Sequence, residues 1–259
     1  MKLARAWLKH VATLGMLFLL SVSVNACSKP ETTWKEEVLL HDGGKIIVTR
    51  SQTYGGRHEL GESPPIREHT ITFSLPNSDK KISWTSEYSK DVGFANFNLL
   101  ALHILNETPY LVANPVGCLS YNKWGRPNPP YVIFKYDGKE WQRIPLTEFP
   151  AEFKTINLVA DAYRQYDIRE AQKGFGYVPA RSVLKINSSL PQPEYKNILR
   201  EPMAHAGGDC AEMIRTRTGW EGLGFFELNK SYEACVDYCN KKGVKPSDCP
   251  CYKLFKGAN

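Results

Sequence analysis

Six of the seven cysteines in this chain lie between positions 118 and 251. They follow an N-terminal segment in which Lys2, Arg5 and Lys9 precede a mostly apolar stretch from Ala12 to Val24. A basic start, a short apolar run and small residues after it are typical of a secretory signal peptide. Outside the cytosol an even number of cysteines usually forms disulfides. The sequence therefore predicts a fold closed by three disulfides.

The apolar stretch ends in Val24-Asn25-Ala26-Cys27-Ser28. This string resembles the lipobox of bacterial lipoproteins, and the resemblance covers only the N-terminal segment. It implies cleavage before Cys27, a diacylglycerol on its thiol and an acyl chain on its amino group. Two acyl chains already hold a protein stably on a bilayer. Secretory cleavage after Ala26 is the alternative, and it would leave a soluble periplasmic protein.

The residue after the cysteine bears on the destination of such lipoproteins. An Asp there tends to retain them at the inner membrane, whereas this chain has Ser28. The resemblance therefore implies the periplasmic face of the outer membrane. We expect a signal peptide at 1–26, a lipidated tether at 27–33, a β-rich part at 34–150 and a mixed α/β part at 151–259. The last two parts are expected to form one continuous body.

The charge of the mature chain argues against nucleic acid as a partner. Removing residues 1–26 takes away three of the 33 basic residues and none of the 27 acidic ones, which leaves a net charge of +3. The basic residues are dispersed among acidic ones, whereas nucleic-acid binders cluster them.

The spacing of the last four cysteines predicts how they pair. Ser231 and Gly243 have the properties of helix caps, so a helix is expected over 232–242, with Cys235 and Cys239 on one face. If 249–251 is extended and returns along that helix, Cys235 pairs with Cys251 and Cys239 with Cys249. Cys118 and Cys210 then form the third disulfide.

A zinc site is the alternative for the same four cysteines. Four thiolates could hold zinc, but C-x₃-C followed by C-x-C is not the common spacing. The expected oxidising compartment favours disulfides, so we expect no metal and no other cofactor.

Alternating polar and apolar residues with tight turns dominate the first half of the chain. The pattern predicts eight short strands, at 37–40, 45–49, 70–75, 81–85, 99–105, 110–113, 131–136 and 140–146. Antiparallel meanders in a sandwich or a partial propeller-like stack are the expected architecture.

The second half has a mixed pattern. Residues 153–163 fit a helical stripe, although 155–159 fit a strand equally well, and both remain open. A short helix is expected over 168–173, and an extended segment over 178–186. The predicted fold class is therefore mainly β with a disulfide-stapled mixed α/β C-terminal part.

Residues 114–130 form the longest turn-rich stretch. It contains Tyr121, Trp124 and Arg126, and Trp and Arg are frequent in interaction hot spots. We therefore treat these three side chains as weak candidates for binding. A proline-stiffened structural loop, with Trp124 packed on the core, is the simpler interpretation.

Residues 204–210 give the only candidates for catalysis. His205 and Asp209 flank Gly207-Gly208, whose backbone amides could approach a ligand. Neither a Gly-x-Ser-x-Gly elbow nor a His-Glu-x-x-His motif occurs in the sequence. The simpler interpretation is a turn that presents Cys210 to its disulfide.

These features together favour a lipid-anchored envelope module that binds or scaffolds an envelope protein or glycan, without catalysis. One alternative is an immunity-type protein that neutralises an envelope-directed toxin. The other is an envelope hydrolase that uses His205 and Asp209.

The anchor is directly testable. Replacing Cys27 with Ala removes the thiol that would carry diacylglycerol, so we expect loss of the acyl mass and release from membranes. Intact-mass measurement and membrane fractionation check both. A native protein that begins at Met1 and carries reduced thiols would contradict the prediction.

Overall fold

The alternating segments of the first half form two antiparallel four-stranded meanders. The computed structural model describes residues 31–56, 58–76, 78–160 and 164–256. The first sheet consists of β1 (Glu31–Leu39), β2 (Lys45–Tyr54), β3 (Ile66–Ser74) and β4 (Lys81–Thr85). The second sheet consists of β5 (Phe97–Leu105), β6 (Thr108–Pro115), β7 (Val132–Tyr136) and β8 (Trp141–Ile144). All eight predicted strands are therefore confirmed, because short-range alternation specifies them.

The N-terminal boundary differs from the prediction. β1 begins at Glu31, so the last three residues of the predicted tether belong to a strand. Residues 27–30 and the predicted signal peptide lie outside the described residues. No helix in the described part of the chain is long and apolar enough to cross a bilayer.

The two sheets pack face to face, as in the sandwich alternative. Val38, Ile71 and Trp84 of the first sheet share one core with Phe97 and Phe134 of the second. The ring centroids of Trp84 and Phe134 are 5.3 Å apart. Aromatic rings at such distances add specific contacts to the burial of apolar area.

The second sheet is buried on both faces. On the side away from the first sheet, Val112 and Ile133 pack against Phe149, Phe153 and Ile156. This double burial explains why β5 and β6 are almost continuously apolar rather than alternating.

Two histidines are buried in the sheets, His69 in the first and His103 in the second. His103 in β5 stacks on Phe153 with ring centroids 4.6 Å apart, and its Nε2 donates to the Thr155 carbonyl at 3.0 Å. Burial lowers the pKa of His103 to about 4, although the Thr155 carbonyl opposes the shift. Burial, with a contribution from nearby Arg50, lowers the pKa of His69 to about 3. Both imidazoles are therefore neutral at neutral pH.

Within the described ranges six α-helices follow the strands or lie between them: α1 (Gly117–Lys123), α2 (Gln165–Gln172), α3 (Ala180–Ser188), α4 (Gly224–Glu227), α5 (Tyr232–Lys242) and α6 (Cys251–Phe255). A small hairpin of β9 (Met213–Arg215) and β10 (Trp220–Gly222) precedes α4.

The structure thus has the predicted class, mainly antiparallel β with a disulfide-stapled C-terminal helical part. α2 and α5 confirm two predicted helices, and α5 has both predicted caps, since the Ser231 hydroxyl accepts from the Ala234 amide and Gly243 has a φ of 66°.

The prediction of an extended segment over 178–186 is wrong. Only its first two residues are extended: Val178 pairs with β1, and Pro179 precedes the helix. Ala180, Val183 and Ile186 then recur at helical spacing, and the helix α3 buries all three. Residues 249–251 also differ from the expected extended geometry, because Cys251 begins α6.

Residues 156–160 are neither the helix nor the regular strand that their sequence allows. All five are buried, so their backbone polar groups need partners inside the protein. The Leu158 amide donates to the Leu100 carbonyl at 3.1 Å. The Asn187 side chain donates to the Leu158 carbonyl at 2.8 Å and accepts from the Ala160 amide at 3.0 Å.

A buried ion pair supplies the partners of Val159 in this segment. The Arg50 guanidinium and the Glu36 carboxylate lie 2.9 Å apart, with side chains that are 1% and 0% exposed. Arg50 also donates to the Val159 carbonyl at 2.9 Å, and Glu36 accepts from the Val159 amide at 3.1 Å. The pair therefore joins the first sheet to the C-terminal half of the chain.

Breaking this pair should destabilise the protein strongly. Arg50→Met leaves the Glu36 carboxylate buried without its countercharge, which we expect to cost about 3–5 kcal/mol. Lys45→Met is the matched control, because Lys45 pairs with Glu37 at the surface, and such pairs contribute at most about 1 kcal/mol. Urea unfolding measures both, and equal effects of the two substitutions would contradict the prediction.

Candidate functional site

The predicted binding segment, residues 114–130, is tied to the C-terminal part by a disulfide. Cys118 in α1 is bonded to Cys210 across 92 positions of sequence. The other two disulfides join Cys235 to Cys251 and Cys239 to Cys249. All three predicted pairings are thus present. The segment itself is not a plain loop, since α1 occupies its middle.

Tyr121 holds the glycine turn that follows residue 205. Its hydroxyl donates to the Ala206 carbonyl at 3.0 Å, and its ring lies directly against Gly207. Burial raises the pKa of Tyr121, and the charge of Arg126 partly opposes that shift. Tyr121 therefore has a structural role in addition to any contact with a ligand.

Arg126 is similarly engaged with the protein itself. Its guanidinium lies 5.0 Å from the Tyr121 ring centroid and donates to the carbonyls of Cys210 at 2.9 Å and Ala211 at 3.1 Å. Asn122, which the sequence did not single out, also donates to the Ala211 carbonyl at 2.9 Å. These contacts fix the disulfide loop against α1.

Trp124 packs on the core, as the simpler interpretation expected. Its ring centroid is 4.6 Å from that of Phe97, and its indole nitrogen donates to the Asn96 side chain at 3.2 Å. The guanidinium of Arg143 covers the other side at 5.6 Å from the ring centroid. The indole is therefore used mainly within the protein.

A cleft lies beside the Cys118–Cys210 disulfide, and we call it the disulfide cleft. Its volume is about 380 Å³. Its walls include Asn114, Tyr121, Glu194, Tyr195, Met203 and His205. The Tyr195 hydroxyl donates to Asn114 at 3.2 Å, and Asn114 donates to the Pro130 carbonyl at 2.9 Å, so this wall is internally bonded.

Glu194 gives the disulfide cleft its unpaired charge. Among the described residues its carboxylate has no hydrogen-bond or ion-pair partner, and Oε2 is shielded from solvent. A shielded carboxylate without a donor is unfavourable, because burial removes its hydration without replacing it. A donor from a bound molecule would compensate that loss. No local motif marks Glu194, which is why sequence analysis missed it.

Residues 114–130 also line two further clefts. One, of about 510 Å³, contains Lys123 and Arg126 together with Asp91, Arg215 and Trp220. Burial alone would raise the pKa of Asp91, but a Ser89 hydrogen bond and the charges of Lys123 and Arg215 keep it below its ordinary value. The charge of the Asp91 carboxylate is therefore already balanced by Lys123 and Arg215.

The other cleft, of about 430 Å³, is lined by Pro127 and Pro129 with Tyr131 and Leu146. The predicted interaction segment thus forms part of the wall of three clefts. That placement agrees with a binding role for the segment as a whole, although Trp124 and Arg126 serve mainly to hold it in place.

A further depression lies elsewhere, between hairpin tips, with a volume of about 750 Å³. Some of its polar groups bind one another. Lys80 donates to the Gly138 carbonyl at 3.3 Å, and Asp137 accepts from the Lys139 and Glu140 amides.

No hydrogen bond joins His205 and Asp209 in the structure. Both are exposed, and neither side chain has a hydrogen bond to another described residue. His205 lines the disulfide cleft, whereas Asp209 is not part of that wall. Gly207 and Gly208 lie in the turn before Cys210, as the simpler interpretation expected. The hydrolase hypothesis therefore gains no geometric support.

The four C-terminal cysteines form one compact group of sulfurs. The Sγ atoms of Cys239 and Cys251, which belong to different disulfides, are 3.6 Å apart. Each sulfur is bonded to another sulfur, so the group has no thiolate with which to bind zinc. Its role in this state is to join α5 to α6.

The contact between Gly207 and Tyr121 leads to a test. A Cβ at position 207 would lie 2.2 Å from the Tyr121 ring, so Gly207→Ala should shift the turn and lower the stability. Gly208→Ala is the matched control, because it also has a positive φ but meets open space. Thermal unfolding measures the stability of both variants. If Gly207→Ala lowers the stability no more than Gly208→Ala does, the close contact between Gly207 and the Tyr121 ring is contradicted.

Comparison with known proteins assigns no family to this chain. No family model matches it. No curated protein and no solved structure matches it either. The geometry of the clefts and the N-terminal pattern must therefore carry any functional proposal.

Proposed function

We propose that this protein is a lipid-anchored envelope module that binds a partner and catalyses no reaction. The lipobox-like string before Cys27 supports the anchor, and the outer membrane is the location that Ser28 favours. The three disulfides support export, because such bonds form mainly outside the cytosol.

We further propose that the disulfide cleft is the binding site. The observation that carries this proposal is the carboxylate of Glu194, a residue that lines the cleft and whose shielded Oε2 has no hydrogen-bond partner among the described residues. The rings of Tyr121 and Tyr195 and the Met203 side chain supply apolar walls around it. Such a mixture of apolar walls and few polar groups is typical of ligand sites.

The unpaired carboxylate indicates the chemistry of the ligand. A primary ammonium group would donate to Glu194 and neutralise its charge, while an aliphatic stem would contact the tyrosines and Met203. Envelope polypeptides with lysine and glycans with free amino groups both carry such a group. The shared feature is the amine, and the two sources can be separated by experiment.

The amine requirement can be tested with small probes and the full chain. We expect Nα-acetyl-lysine methylamide to bind saturably, and its norleucine analogue, which lacks the ammonium group, to bind much more weakly. For the glycan source, we compare binding of glucosamine, which has a free amino group, with binding of N-acetylglucosamine, in which that group is acetylated. We expect only glucosamine to bind appreciably. Binding is followed by NMR titration.

Glu194→Gln should weaken binding of the amine about ten-fold or more, since a hydrogen bond between charged groups contributes about 1.5–3 kcal/mol. Glu201→Gln is the control, because it removes an exposed carboxylate that does not line the cleft. If both variants bind the amine as the unmodified protein does, the assigned site is wrong.

A further inference from the structure

The loop between β2 and β3 projects one leucine into solvent. We call residues 55–65 the Leu60 loop; the structure describes all of them except position 57. The Leu60 side chain is fully exposed, at 106% of its reference area. An apolar side chain so completely exposed at a loop tip gains free energy from any apolar surface that it can reach.

The base of this loop is fixed to the sandwich. The Gly55 amide donates to the Pro65 carbonyl at 3.0 Å, which closes the loop. Gly56 lies so close to the chain at position 93 that a Cβ would come within 2.3 Å of the Gly93 carbonyl oxygen. The base of the loop is therefore held by the body of the fold.

The Leu60 loop leaves the first sheet at the end where the chain enters it. β1 and β2 run in opposite directions because the tight turn after Leu39 connects them. The Tyr54 hydroxyl, at the end of β2, donates to the Thr32 hydroxyl at 3.1 Å. The loop and the start of β1 are therefore neighbours.

The length of chain before Thr32 limits how far this end can lie from an anchor. Cys27 and Thr32 are five positions apart, and a fully extended chain spans at most about 3.6 Å per residue. Under the proposed function, on which this inference rests, Thr32 stays within about 18 Å of the lipid-bearing residue.

We propose that the Leu60 loop is a second contact with the bilayer and that Leu60 inserts at its surface. One leucine would bind a membrane too weakly by itself. The anchor makes the contact intramolecular, so even a weak interaction is populated. Glu59 and Glu62 flank Leu60, so a zwitterionic surface suits the loop better than an anionic one.

The test uses an environment-sensitive NBD dye on the full acylated protein in phosphatidylcholine–phosphatidylethanolamine vesicles. Ser63→Cys places the dye on the loop, and Asp79→Cys places it in the turn between β3 and β4, at the opposite end of the first sheet. Both positions are exposed. The six described cysteines are all in disulfides, which leaves the introduced thiol for labelling.

We expect the dye at position 63 to shift to shorter wavelength and to be quenched by doxyl-labelled lipids, and the dye at position 79 to do neither. Adding Leu60→Asp should abolish both effects at position 63 without unfolding the protein, since Leu60 is fully exposed. A solvent-like dye at position 63 on protein whose acyl mass is confirmed would overturn this inference alone. Absence of the acyl mass would overturn the anchor and this inference together.

Discussion

Residues 156–160 place a stretch of backbone in the interior, and this constraint organises the protein. A buried chain segment needs a partner for each amide and carbonyl, and a regular sheet would provide them from neighbouring strands. Here side chains provide several of them, from Glu36 and Arg50 in the first sheet and Asn187 in α3. The β-sandwich and the C-terminal part are therefore held together through this shared segment, and the buried charge of Glu36 is tolerable only while Arg50 faces it.

The Cys118–Cys210 disulfide is the second tie between the two parts, and it determines the site. Cross-linking residues so distant in sequence restricts the unfolded chain, with a loop of roughly this length contributing about 4–5 kcal/mol in the chain-entropy description. Near the bridge, Tyr121 and Arg126 bind the backbone after residue 205. The cleft beside the disulfide is consequently walled by segments that are fixed independently of any ligand, which limits the conformational cost of binding.

Local patterns predicted most of the elements because each depends on neighbours in sequence. The eight strands follow from alternation and turn residues, and α5 follows from Ser231 and Gly243, whose capping preferences are short-range. The disulfides of α5 could be predicted because Cys235 and Cys239 occupy one helical face. Most of the segment 178–186 is helical rather than extended, because its apolar positions fit both periods until burial of Val183 and Ile186 selects the helix.

From the sequence alone came the strands, the capped helix, the cysteine pairing and a segment, 114–130, that borders three clefts. Only the tertiary structure decided how the side chains of this segment are used: Trp124 packs on the core and Arg126 binds backbone carbonyls. It also decided that Glu194, from a turn distant in sequence, has no partner among the described residues. The physical reason is that hydrogen bonding and desolvation of a side chain depend on groups that folding brings from elsewhere in the chain, and no local pattern encodes which groups those are.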